Sequence, residues 1–129
     1  MQLTYTRETS YGATEVGGKL ADSVKRYGFG LLNQTDLKAK MNSKGVDFSN
    51  ACLVFDICNP HYAKEVLESN LNISTALPCR ISVYEEDGCT KVSTLLPTKV
   101  LNMFGTSGLE HIAEAVEKAL ISIIDEVTE

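Results

Sequence analysis

The chain reads as an α+β two-layer sandwich: a mixed, largely antiparallel sheet of about five strands, helices packed on one face, and a long C-terminal helix. Three observations predict this. Helical periodicity separates the early strands, an Asp87-Gly88 pair between two strand-like runs marks a late hairpin, and Ile112, Ala115, Val116, Ala119, Ile123 and Val127 recur at helical spacing. With 129 residues, 43% of them apolar and 22% charged, the chain has the composition of one domain, 1–129, able to bury a substantial core.

From Gln2 to Arg7, the residues Leu3, Tyr5 and Arg7 alternate with Gln2, Thr4 and Thr6, the period of a half-buried strand. From about Thr14, Val16, Leu20, Val24 and Tyr27 recur at helical intervals with Glu15, Lys19, Asp22 and Lys25 between them, which predicts an amphipathic helix. Gly17-Gly18 weakens it by about 1 kcal/mol per glycine relative to alanine, so either a neighbouring backbone packs closely there or the helix starts late. Gly28 supplies a stop, and Phe29-Gly30-Leu31-Leu32 reads as a short second strand. Thr35 or Asp36 suits the cap of a short helix carrying Leu37 and Met41 and ended by Gly45.

The third strand runs from about Ala51 to Ile57, after which Tyr62, Ala63, Val66 and Leu67 form the apolar stripe of a helix. Asn70 to Ala76 is polar and reads as loop. Strands from Cys79 to Glu85 and from Thr90 to Leu95 flank the Asp-Gly turn and are therefore antiparallel. Lys99 to Phe104 suits a helical turn or a strand equally well. Ser107-Gly108-Leu109-Glu110 matches a capping box before the final helix, which is expected to lie across the sheet. Its acidic residues Glu114, Glu117, Asp125, Glu126 and Glu129 lie off the apolar stripe and read as a solvated face.

Twelve basic against seventeen acidic residues give a net charge of −5, with no basic patch to bind nucleic acid. Met1 to Glu8 shows neither the charged region nor the apolar core of a signal peptide, and no window approaches a membrane span, so a cytoplasmic protein without membrane contact is expected. There Cys52, Cys58, Cys79 and Cys89 are reduced, and their spacing matches neither a disulfide framework nor paired zinc knuckles. No P-loop, Gly-rich dinucleotide fingerprint or Ser-His-Asp order occurs, so hydrolase and nucleotide-binding classes lack support and no cofactor is expected.

Cys58-Asn59-Pro60-His61 carries the most chemistry. Asn59 and Pro60 open a helix directly after a strand, which places the Cys58 thiol where free backbone N–H groups and the helix dipole favour thiolate. One reading is a small-ligand or anion pocket at this corner. A second is thiol redox or nucleophile chemistry, with Cys58 as the reactive group, His61 as base and Cys79, after Leu77-Pro78, as resolving thiol. A third takes Cys58 and His61 as metal ligands, completed by Cys79 or Asp56, on the weak signal of a lone C-x-x-H. His111 reads as a surface histidine, Asp36 first as a helix cap, and Cys89 as a turn thiol open to adventitious reaction.

Gly28-Phe29-Gly30-Leu31-Leu32-Asn33-Gln34-Thr35-Asp36, then Cys58-Asn59-Pro60, Leu77-Pro78-Cys79-Arg80 and Pro97, resemble in order the family catalogued as domain of unknown function 302. The resemblance spans nearly the whole chain. It implies a small α+β domain that forms homodimers, found in bacteria and archaea, and it supplies no mechanism. Members usually carry a glutamate where this chain has Gln34; an amide there can hydrogen-bond a ligand but takes no proton at neutral pH. The resemblance marks Asp36, Cys58, Asn59, Pro60, Pro78 and Cys79 as pocket-lining residues, with Gln34 and His61 beside them as candidate ligand contacts.

Overall fold

Ala13, Val16, Leu20 and Val24 form one buried stripe, and they do so on the helix α1, Ala13–Arg26, of a computed structural model that describes residues 2–129. Before it, β1 covers Thr4–Thr9 rather than starting at Gln2, because pairing begins where Thr4 meets Leu95. Tyr27 leaves the apolar stripe: it ends α1 and is exposed. Gly28, at φ +83°, then lets its own N–H reach the Lys25 carbonyl and the Phe29 N–H reach Val24, a glycine-closed helix end. Phe29 is thereby spent on the helix stop and buried in the core.

Strand β2, Gly30–Asp36, is longer than its apolar residues suggest and carries a bulge between Leu31 and Asn33. Asp36 caps α2, Leu37–Ser43, by accepting from the Ala39 N–H at 2.9 Å. Strand β3 is Cys52–Cys58 and α3 is Pro60–Ser69. Leu71–Ala76, expected as loop, forms a short 3₁₀ helix anchored by buried Ile73. Strands β4, Cys79–Glu86, and β5, Cys89–Leu95, are joined by Asp87 and Gly88, both at positive φ, the hairpin turn expected of that pair. The ambiguous stretch after Leu96 is helix α4, Pro97–Met103, with proline in its first turn.

The final helix, α5, spans Glu110–Thr128. The capping box does not form: Leu109 occupies the cap position, no side chain caps the helix there, and Glu110 Oε2 instead accepts from the Gly108 N–H at 2.9 Å. The acidic face is also less solvated than expected. Asp125 accepts from the Tyr5 hydroxyl and from Arg7, Glu126 from Ser23 and Arg26, and Glu117 from the Thr98 hydroxyl and N–H. These carboxylates tie α5 to β1, α1 and α4.

The strands line up β1-β5-β4-β3-β2, and every neighbouring pair is antiparallel rather than mixed. The reason is topological. β1 and β2 run in the same direction, but they occupy opposite edges, so α1 crosses the whole sheet and no parallel ladder forms. Helix α1 packs mainly on β2–β4 and α5 on β1 and β5, so the helices share one face as expected, while α5 covers the β1–β5 side rather than lying across the whole sheet. Phe55, Ile57, Ile81, Val83 and Val92 alternate onto that face and fill the core. No helix among the described residues is long and apolar enough to cross a membrane.

Candidate functional site

Antiparallel order brings the end of β3, the start of β4, the end of β5 and the start of β1 to one end of the sheet. There β3 turns into α3 at Cys58-Asn59-Pro60. Asn59 makes the turn: its Oδ1 accepts from the N–H groups of His61 at 3.0 Å and Tyr62 at 3.3 Å, while its Nδ2 donates to the Gly28 carbonyl at 3.2 Å. Pro60 has no N–H, and the Ala63 N–H already reaches the Asn59 carbonyl. The expected row of free donors is therefore closed by the chain itself, and the helix mouth offers no N–H to an anion.

Behind this corner lies a partly open cavity of about 360 Å³. It is bounded by the sheet end, α3, the 3₁₀ helix, α4 and the first turns of α5, and its wall is mostly apolar, including Tyr62, Val66, Leu77, Leu101 and Ala113. Leu77-Pro78 is a cis peptide, and Pro78 forms part of the rim. The space reaches from core-facing Ile57 and Thr94 round the sheet end to Val54 and Ser82, which point to the opposite face.

Of the residues singled out in the sequence, Cys58, Asn59, Pro78 and Cys79 line this cavity. Pro60, His61, Gln34 and Asp36 do not. Pro60 and His61 are exposed on the outer side of α3's first turn. Gln34 is exposed on the edge strand opposite Phe55, and Asp36 pairs with Leu53 at the other end of β3, where its carboxylate serves α2. The shared strand that links these residues in sequence order separates them in space by its length.

The thiols are not activated as expected. Burial pushes Cys58 above the ordinary thiol range, and burial, with a smaller contribution from Cys58, pushes Cys79 up to about 11. All four cysteines are free. Cys79 stands in register with Ile57, so Cys58, the next residue, points away from it across the sheet. Among the described residues no group of three or more His, Cys, Asp or Glu side chains is placed to hold a metal ion, which leaves Cys58 and His61 without a third ligand. Cys89 opens β5 rather than lying in the turn; it is half-buried, and burial and nearby Glu8 raise its thiol. His111 sits at the surface with Nε2 3.7 Å from Glu65.

Arg80 is the residue that sequence reasoning passed over. It follows Cys79 directly, lines the cavity, and donates from Nε to Asp56 Oδ1 at 2.9 Å across the β3–β4 ladder. Its signal was its place next to the Leu-Pro-Cys element.

Comparison with known proteins gives a consistent picture. The family model described as Domain of unknown function DUF302 matches residues 5–127. The crystal structure of an uncharacterized conserved DUF302 protein from Bacillus stearothermophilus is 36% identical, covers 100% of both chains and superposes with a TM-score of 0.93. No curated protein matches the chain.

Proposed function

The chain belongs to the DUF302 family, and from that premise we propose that its role is to bind a small, mainly apolar ligand in the cavity beside the Cys58-Asn59-Pro60 corner. The observation that carries this reading is the cavity itself. Its volume of about 360 Å³ falls within the roughly 300–1,000 Å³ typical of small-molecule sites. The space is walled by four strands of the sheet end, three α-helices and the 3₁₀ helix, so much of the small fold converges on it.

In this reading Cys58 and Cys79 act as neutral, polarisable wall groups, the usual state of a thiol raised by burial. Thiolate chemistry gains no support from their surroundings. Ligand binding displaces water from apolar surface, which is the driving force for it.

Thermal unfolding in the presence of neutral apolar probes, from toluene to decanol, tests the proposal. A probe present at a hundred times its Kd stabilises the protein by about 2.7 kcal/mol, a clear rise in Tm. The same probe slows alkylation of Cys58, and Ala63→Phe, which fills the cavity from half-buried α3, abolishes both effects. If no probe raises Tm or protects Cys58, the cavity is not a ligand site.

A further inference from the structure

The cavity wall contains one charged side chain, and this says what kind of ligand it suits. Resting on the reading above, we infer that the site takes an amphipathic monoanion: a carboxylate on an apolar chain, with the chain in the cavity and the carboxylate on the Arg80 guanidinium.

Three neutral polar groups of the wall are committed, whereas the hydroxyls of Thr4, Tyr62 and Ser82 have no hydrogen-bond partner among the described residues and carry no charge. Asn59 is spent on α3 and Gly28. Ser93 shares its hydroxyl with Thr6 at 2.6 Å and Tyr84 at 3.2 Å, and Thr94 donates to the Arg80 carbonyl at 2.7 Å. Arg80 differs. Only its Nε is used, by Asp56 at 2.9 Å, and its two terminal nitrogens, carrying four of the five N–H donors, have no partner among the described residues. Asp56 is mostly buried and Arg80 more than half exposed, so the carboxylate braces the guanidinium from the protein side. The free edge is the one that accepts a carboxylate in two parallel hydrogen bonds.

Charge and size narrow the ligand further. A cation in the wall of a chain with net charge −5 is a local feature that the bulk charge does not supply. Asp56 repels a second negative charge, which favours a monoanion over a dianion. At about 30 Å³ per water-sized group, the cavity accommodates a chain of roughly eight to twelve carbons. Val54 and Ser82 share the sheet face with Arg80, so a chain entering past them meets the guanidinium at the rim.

Calorimetric titration of the whole protein with decanoate, decanol and acetate decides the matter. Wild type binds decanoate about tenfold more tightly than decanol and shows no measurable affinity for acetate. Arg80→Gln binds the two ten-carbon probes equally, and Arg80→Lys, which keeps the charge, recovers most of the preference. Arg80 is exposed enough for both variants to keep the wild-type Tm within a few degrees. If decanol binds wild type as well as decanoate does, or the preference survives Arg80→Gln, the carboxylate inference fails and the apolar cavity stands. If neither probe binds, the cavity reading itself has failed.

Discussion

Cys79 stands directly opposite Ile57 in the β3–β4 ladder, and that register turns Cys58, one residue further along, to the other face of the sheet. Two cysteines whose Cβ vectors diverge cannot be bridged without moving backbone, even on adjacent strands. Mild oxidation with diamide is therefore expected to leave no Cys58–Cys79 disulfide, as peptide mass mapping will show. Recovery of that linked peptide from folded protein contradicts the register.

Cys79 also makes stability depend on alkaline pH. Its thiol is pushed up to about 11 in the folded chain, whereas an unfolded thiol titrates near 8.5. Between those values the folded state keeps a proton that the unfolded state releases, so stability is complete below about 8.5 and falls as pH rises towards 11. The share due to Cys79 is about 3 kcal/mol at most. Urea midpoints for wild type and Cys79→Val are expected to fall apart in slope over this window, with the variant flatter.

Asn59 holds α3 and the end of α1 together through three hydrogen bonds. Asn59→Ala removes all three and costs about 1–2 kcal/mol in chemical denaturation. Asn59→Asp keeps the acceptor of the cap and loses the donor to Gly28, so its loss is smaller. An alanine variant as stable as wild type removes the cap from the account.

Gly17 and Gly18 are neighbours with opposite responses. A Cβ on Gly17 would stand 3.1 Å from Cζ of Phe55, a ring only 1% exposed and unable to move aside, whereas a Cβ on Gly18 meets nothing within 4 Å. Gly18→Ala is expected to stabilise by about 0.5–1 kcal/mol through helix propensity. Gly17→Ala is expected to destabilise despite the same propensity gain, because the core there is already full. Equal signs in thermal denaturation refute the close packing of Gly17 in α1 on Phe55 in β3.

Glu126 responds to acid. Its hydrogen bonds from Ser23 and Arg26 hold its carboxyl below the usual range. The unfolded chain then binds a proton at a pH where the folded chain does not, so the stability Glu126 contributes is present above the normal glutamate range and is lost as pH falls through the folded value. Glu126→Gln is expected to flatten the acid limb of the stability–pH curve measured by chemical denaturation, and an unchanged limb contradicts the role given to these hydrogen bonds.

Much of the fold was legible because its signals are local. The stripe Val16, Leu20 and Val24, the Gly28 stop, the Asp36 and Asn59 caps and the Asp87-Gly88 turn each involve residues within one or two turns of chain. The failures share a cause. Tyr27 looked like part of the apolar stripe until Gly28 ended the helix, and the capping-box pattern at Ser107 lost to a Glu110 bond that closes the loop onto Gly108.

By itself, then, the sequence determined the five strands, the helices α1, α2, α3 and α5 and the hairpin turn, since propensity, capping and turn chemistry act over a few residues. The 3₁₀ helix at Leu71–Ala76 and α4 were left to packing. Tertiary structure alone decided which edges β1 and β2 occupy and hence that the sheet is wholly antiparallel. It decided that Asp125, 120 residues from Tyr5, is a tether and no solvated charge. It also set Cys58 and Cys79 on opposite faces, moved Gln34 and Asp36 away from the cavity and put Arg80 on its rim. Those outcomes depend on strand register and on which distant surfaces bury one another, and a one-residue shift in register exchanges every inward side chain for its neighbour.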